Sequence, residues 1–233
     1  MVDVELITLL GLGFLLGARH ALDADHIAAV STILSQRPNL QTSGFLSFCW
    51  GFGHTIMLLL VALVVIVFKI TIPDSVAQAF EFGIGAMLVA LGTSLGWSLY
   101  KERWHFHEHE HEGGRHVHFH RHPEDAAHHH RHWLRLSVRP VLVGMAHGLA
   151  GSAALTLMVL STVHSLGQGL AYILVFGIGS IVGMMCLGLM ISVPLIFSSA
   201  YGRRAQFALQ GLAGAGSVVL GVVMMIRISV GEP

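Results

Sequence analysis

The stretch Arg19-His20-Ala21-Leu22-Asp23-Ala24-Asp25-His26 places five ionisable side chains within eight positions of a long apolar segment. The segment runs from about Val4 to Leu34, which is long enough to cross a bilayer as a helix. An ionisable side chain at membrane depth costs on the order of 3 kcal/mol unless it is paired, hydrated or bound to a cation. Histidine and aspartate are ligands that Ni²⁺, Co²⁺ and Zn²⁺ accept. The stretch therefore predicts a divalent-metal site inside a membrane helix.

Helical spacing separates the two aspartates of this stretch. At about 100° per residue, His20, Asp23 and His26 form one stripe, whereas Asp25 points away from it. Asp25 can join the others only if the helix is interrupted, as helices at transporter sites often are. Asp25 could also orient a metal-binding histidine through a hydrogen bond to its other ring nitrogen. Arg19 could be the counter-ion of either aspartate. The sequence leaves open which aspartate is the direct metal ligand.

Six apolar stretches are long enough to span a membrane, which takes roughly 20 residues each. After the first, they cover about 45–68, 76–100, 138–163, 169–198 and 205–228. Only 11% of the residues are charged, against roughly 25% in soluble domains. We predict an all-α integral membrane protein whose first helix is interrupted at the metal motif. A formal net charge of zero gives no reason to expect a nucleic-acid partner.

The two halves of the chain resemble each other at an offset of about 127 residues. A Gly-x-x-His motif and an aromatic-Gly-x-Gly motif occur at 17–20 and 50–53, and again at 144–147 and 176–179. Each half would hold three spans, so the second unit would lie inverted relative to the first, a recurring plan in secondary transporters. The predicted units are residues 1–100 and 138–233, joined by a histidine-rich loop at 101–137.

The distribution of basic residues predicts the orientation, because Lys and Arg gather in cytoplasmic loops. With the N-terminus outside, ten basic residues fall in cytoplasmic loops and only Lys69 and Arg227 fall outside. We therefore expect a multi-pass protein of the cytoplasmic (inner) membrane. Both termini would lie outside, and the histidine-rich loop would be cytoplasmic.

Twelve of the 17 histidines lie in that loop, interspersed with Glu and Phe. They are His105, His107, His109, His111, His116, His118, His120, His122, His128, His129, His130 and His132. Such tracts bind Ni²⁺, Zn²⁺ or Cu²⁺ loosely through many equivalent imidazoles. Their polarity argues against a fixed fold. We expect a disordered, dispensable metal buffer; the alternative is a solvated linker without a binding role.

Two further histidines, His54 and His147, each stand alone in an apolar span. A lone intramembrane histidine often serves only as a hydrogen-bonding group between helices. His147 aligns with His20 in the repeat, however, and could complete a metal site between the two units.

Two motifs resemble a known family. Residues 20–27, His-Ala-Leu-Asp-Ala-Asp-His-Ile, resemble the HX4DH signature of the nickel/cobalt transporter (NiCoT) family. Residues 52–55, Phe-Gly-His-Thr, resemble the second motif of that family. The resemblance implies that His20, Asp25 and His26 bind the metal and that His54 shares in this role.

The second half lacks the acidic motifs of the long importers in that family. The chain is therefore more similar to the short branch, which includes urease-accessory-type nickel permeases and related efflux proteins. The implied substrate is Ni²⁺ or Co²⁺, with Zn²⁺ as a further option, and no resident cofactor is expected. The expected partners are membrane lipid and a cytoplasmic metallochaperone.

Three functions are compatible with these motifs. The first is a secondary transporter that imports Ni²⁺ or Co²⁺, and the second is an exporter that uses the same site. The third, an intramembrane metalloenzyme, is disfavoured because no HExxH motif lies in an apolar span. No GxxxxGK[ST] signature for nucleotide binding is present either. We therefore predict an importer and not an enzyme.

Overall fold

The computed structural model describes residues 4–36, 39–103, 107–111, 114–118, 137–151 and 166–231. In chain order its elements are α1 (Val4–His20), α2 (Ala24–Ser35), α3 (Leu40–Phe68), α4 (Asp74–Arg103), β1 (His107–His111), β2 (Gly114–His118), α5 (helical residues 137–151), α6 (Leu166–Ala200) and α7 (Arg203–Ser229).

Four of these helices, α3, α4, α6 and α7, are long and apolar enough to cross a membrane. The pair α1 and α2 makes a fifth if the two are counted as one bent span. Large apolar side chains such as Phe68, Met190 and Leu212 are about 70% exposed, which suits helices that face lipid. The protein is therefore a multi-pass membrane protein. The fourth predicted span, 138–163, lies only partly within the described residues, so the count of six stays a prediction.

The first apolar stretch is interrupted where the charged cluster lies. Helix α1 ends at His20, and α2 begins after Asp23, whose backbone is extended (φ −64°, ψ 148°). Two tight turns close the break, since Leu22 N donates to Arg19 O (2.8 Å) and Asp23 N donates to His20 O (3.1 Å). The two helices meet at a bend of 56°. The predicted interruption at the metal motif is confirmed.

Close packing holds the long helices in pairs. Helices α1 and α3 both pack along α6, and α4 packs along α7. Gly17 lies directly against the carbonyl of Phe176, where a Cβ atom would overlap the oxygen. The core around Trp50, Leu34 and Met184 fills the space between α2, α3 and α6. This packing fixes the position of α1 along α6, and with it the position of the break.

The histidine-rich loop contains a short antiparallel hairpin within the part that the structure describes. The backbone register pairs His107 with His118 and His109 with His116. For these residues the structure differs from the expected lack of a fixed fold. The His-Glu-His-Glu-His alternation has the period of two that a strand requires. The remaining histidines of the loop lie outside the described residues, at 105, 120, 122, 128–130 and 132.

Candidate metal site

Four helices bring five of the predicted metal ligands together. His20 ends α1, Asp25 and His26 begin α2, His54 lies at the middle of α3, and His147 lies in α5. The ring centroids of His20 and His26 are 4.7 Å apart, and those of His26 and His147 are 4.8 Å apart. The His54 ring lies 5.2 Å from His20 and 5.4 Å from His26. His54 is the middle residue of α3, so the cluster lies level with the centre of that helix.

The ligands form two sets of three with one member in common. His20, His26 and His54 make the first set; Asp25, His26 and His147 make the second. Within each set the ligand atoms lie within 4.8 Å of one another. An ion bound at about 2.0–2.2 Å from each ligand holds its ligand atoms up to about 4 Å apart. Small side-chain adjustments would therefore close either set around one ion.

Several ring nitrogens of this cluster are buried without a hydrogen-bond partner. The exposed fraction of His26, His54 and His147 is at most 2%. Among the described residues, Nε2 of His20, Nε2 of His26 and both ring nitrogens of His54 have no partner. Buried polar atoms in proteins are ordinarily hydrogen-bonded. Several unsatisfied nitrogens that face one another are the donor set that a transition-metal ion requires.

Asp25 joins the cluster because of the break in the helix. Its Oδ1 accepts a hydrogen bond from the backbone N–H of His26 (2.9 Å) and lies 3.1 Å from Nδ1 of the same residue. Its Oδ2 lies 3.6 Å from Nε2 of His147. In an unbroken helix Asp25 would face away from His20 and His26. The break lets α2 present Asp25 and His26 beside His20 at the end of α1.

Asp23 lies outside both sets, behind His20. Its Oδ2 is 2.7 Å from Nδ1 of His20, and its side chain is 54% exposed. A carboxylate on one ring nitrogen orients the imidazole and leaves Nε2 free for a metal. Arg19 is exposed, and within the described part of the chain both aspartates pair with histidines rather than with Arg19.

Two aromatic side chains that the sequence did not single out as site residues flank the cluster. The Trp50 ring stacks on His26 (centroids 6.0 Å apart, planes 15° apart) and lies 5.3 Å from His147. The Phe176 ring lies 5.6 Å from His20. Both occupy the aromatic position of the repeated aromatic-Gly-x-Gly motif, and that motif was the one signal in the sequence that could have found them.

Glycines set the distance between α3 and α5. Gly144 lies against the carbonyl of Trp50, and Gly148 lies against the carbonyl of His54. Both glycines therefore pack α5 closely against α3. The close approach brings His147 into reach of Asp25.

Comparison with known proteins assigns the chain to a family. The sequence model of the NicO family, described as "High-affinity nickel-transport protein", matches residues 6–226. A urease accessory protein, UreH, from Bacillus sp. (strain TB-90) is 36% identical over 234 residues, which cover 100% of this chain and 96% of the relative. No solved structure matches. The expected kinship with nickel transporters is thereby confirmed, and the family is one of transporters rather than enzymes. The chain belongs to the NicO family of high-affinity nickel-transport proteins.

Proposed function

We propose that this protein is a secondary transporter that imports Ni²⁺ or Co²⁺ across the cytoplasmic membrane. The ion would bind to His20, Asp25, His26, His54 and His147, with Asp23 holding His20 in place. The observation that carries the proposal is the convergence of four imidazoles and one carboxylate from four helices at membrane depth.

The chemistry of the ligands supports this choice of metal. Imidazole nitrogen and carboxylate oxygen suit Ni²⁺, Co²⁺ and Zn²⁺, whereas soft ions such as Cu⁺ prefer thiolate or thioether sulfur. Neither Cys49 nor Cys186 belongs to a donor set in the described part of the chain. The description of the family favours nickel among the three.

Contacts between the two halves support the inverted repeat. Gly17 lies against the carbonyl of Phe176, and its repeat counterpart Gly144 lies against the carbonyl of Trp50, the counterpart of Phe176. A two-fold axis between similar units produces this exchange of partners. The same exchange relates the contact of Gly53 with Val141 to that of Gly179 with Phe14.

The direction of the paired helices supports inversion. Along the α3–α6 contact Gly51 meets Ile181, and Thr55 Oγ1 donates to Gly177 O (3.1 Å). The residue numbers rise on one helix as they fall on the other, so these two repeat-related helices run antiparallel. A two-fold axis between antiparallel partners is perpendicular to them. We infer two inverted three-helix units with the metal site between them.

Import is favoured over export because the two directions of transport require different affinities for the ion. High affinity serves a protein that gathers a scarce ion from outside, whereas an exporter works on an ion in excess. The ten-to-two distribution of basic residues favours outer termini and a cytoplasmic histidine loop. That loop would then receive imported metal.

The first prediction concerns Asp25→Asn and His26→Ala, tested by uptake of labelled Ni²⁺ and Co²⁺ into cells and proteoliposomes. We expect each variant to lose at least about tenfold in rate, because loss of a buried charged ligand or of the shared imidazole costs more than about 1.4 kcal/mol. Asp74→Asn is the matched control, since Asp74 is an exposed carboxylate at the start of α4.

Parental rates in both site variants would refute the proposed site. A fall in cellular nickel on expression of the parent would show export instead of import.

A further inference from the structure

We propose that a buried polar stripe on α3, made of Ser43, Ser47 and Trp50, is the route by which the hydrated ion passes between the metal site and the Leu40 end of α3. This inference rests on the proposed transport function. The three residues and His54 follow one another at positions i, i+4, i+7 and i+11. They therefore lie within about 60° on one face of the helix and extend about 16 Å from the site.

The stripe is buried, yet its polar atoms are unsatisfied. The exposed fractions of Ser43, Ser47 and Trp50 are 0%, 1% and 2%. The unpartnered buried side-chain nitrogen and oxygen atoms of the described residues fall in two groups, the metal-site histidines and this stripe. Each unsatisfied group costs about 1–3 kcal/mol when it is sealed from water. We therefore expect these polar groups to gain a hydrogen-bond partner at another stage of the transport cycle.

Other buried serines in these helices do have hydrogen-bond partners. Ser35, Ser192 and Ser198 each donate to a carbonyl of their own helix, at 2.7–2.9 Å. That bond is the usual solution for a buried helical serine. The hydroxyls of Ser43 and Ser47 lack it and stay available to water. An ion that leaves the imidazoles must regain water, and these groups can hold that water.

The stripe borders a gap that is closed in this conformation. The gap lies between α2, α3 and α5, and it is too narrow for a water molecule. It is lined by Val30, Ile33, Leu34, Leu46, Ser47, Trp50 and Pro140. The backbone of α2 lies close to α4, α6 and α7 and makes few close approaches to α3. Separation of α2 from α3 would open the gap by breaking side-chain contacts such as the stacking of Trp50 on His26, while α2 keeps its contacts with α4 and α7.

The repeat-related face of α6 lacks such a stripe. The counterparts of Ser43, Ser47 and Trp50 are Gly169, Ile173 and Phe176, and the latter two are buried in an apolar cluster. Between these two repeat-related helices, within the described residues, the polar face lies on α3 and not on α6. Under the predicted orientation the Leu40 end of α3 is cytoplasmic, so the stripe would be the route of release into the cell.

The second prediction concerns the double variant Ser43→Ala/Ser47→Ala in proteoliposomes. Alanine removes the hydroxyls without adding volume, which matters because Ser47 packs against Gly188. We expect the nickel flux to fall about tenfold while equilibrium nickel binding stays within about twofold of the parent. Ser192→Ala is the control, since Ser192 is equally buried but hydrogen-bonded, and it should transport like the parent.

Parental flux in the double variant would overturn the route and leave the transport function intact. Absence of nickel flux in the parent would instead overturn the transport function. A double variant that loses flux and binding together would also overturn the route, since the serines would then support the site itself.

Thiol labelling gives an independent reading in a Cys49→Ala/Cys186→Ala background. Ser47→Cys should react with a small cationic methanethiosulfonate added from the cytoplasmic side, and Ni²⁺ should slow the reaction. Ser192→Cys should stay unreactive. Equal reactivity of the two cysteines, or faster reaction of Ile173→Cys, would overturn the assignment of the route to α3.

Discussion

At the scale of the residue, the two aspartates beside the break in the first span have different contacts. Asp25 contacts His26 and His147, whereas Asp23 contacts only His20 among the ligands. The two carboxylates are two residues apart, yet one faces the buried cluster and the other is half exposed. Their roles should therefore separate in experiment.

The third prediction is that Asp23→Asn weakens nickel binding by about 10- to 100-fold, the usual cost of losing a carboxylate that orients a metal-binding histidine. Asp25→Asn should weaken it more. Isothermal titration with Ni²⁺ measures both. A variant His20→Ala/Asp23→Asn that binds no worse than His20→Ala would confirm that Asp23 acts through His20. An Asp23→Asn variant with parental affinity would refute this role.

The residues that come together in the two donor sets could be predicted from the sequence, because ionisable residues in an apolar span are costly and are rarely kept there without a functional site. The different contacts of Asp23 and Asp25 could not. A regular helix places Asp23 on the stripe of His20 and His26, whereas in the structure Asp25 belongs to a donor set and Asp23 pairs with His20. The sequence also does not distinguish Trp50 and Phe176 as neighbours of the site, because membrane helices contain many aromatic residues that contact no site.

At the scale of the element, the interruption after His20 was predictable and the hairpin was not. Charged groups at mid-span favour a break that lets their backbone and side chains find partners. The polarity of the alternating histidines at 107–111 predicts a loop without a fixed fold, whereas their period of two is that of a strand. Both features contain histidines, but at different positions: one inside the bent pair α1 and α2 and one in the loop between α4 and α5.

The fourth prediction concerns deletion of residues 105–132. We expect the initial rate of nickel uptake to stay within about twofold of the parent, because the loop holds none of the described donor sets. The amount of nickel bound per purified protein at equilibrium should fall, since twelve imidazoles are lost. Loss of uptake with intact folding, judged by the circular dichroism of the membrane helices, would refute a dispensable buffer.

At the scale of the whole molecule, the contacts between the two halves come in pairs. In each pair, both residues are replaced by their counterparts from the other half. Motif spacing predicted that the halves resemble each other, but not which helices touch. The structure pairs α1 with α6 and α3 with α5, so each half supplies a helix that packs against the other half. Sequence offsets contain no information on such partners, because the same spacing fits several arrangements of six helices.

The fifth prediction follows from these contacts. Gly→Ala within a helix ordinarily stabilises by about 0.5–1 kcal/mol. At Gly17 and at Gly144 the added Cβ would overlap a carbonyl oxygen of the facing helix, so each variant should instead lose about 1–3 kcal/mol. Gly11→Ala is the control, because Gly11 in α1 has no neighbour within 4 Å of the added atom.

Thermal unfolding in detergent measures all three glycine variants. Similar losses at Gly17 and Gly144 support repeat-related contacts. A stabilised Gly17→Ala or Gly144→Ala variant would show that the helices do not approach as closely as described.

The sharing of His26 between the two donor sets limits how many ions the buried cluster can hold. A neutral imidazole has one unprotonated nitrogen, so it can complete only one set at a time. A second ion would therefore have to wait until the first had left. We therefore expect this cluster to bind one divalent ion at a time.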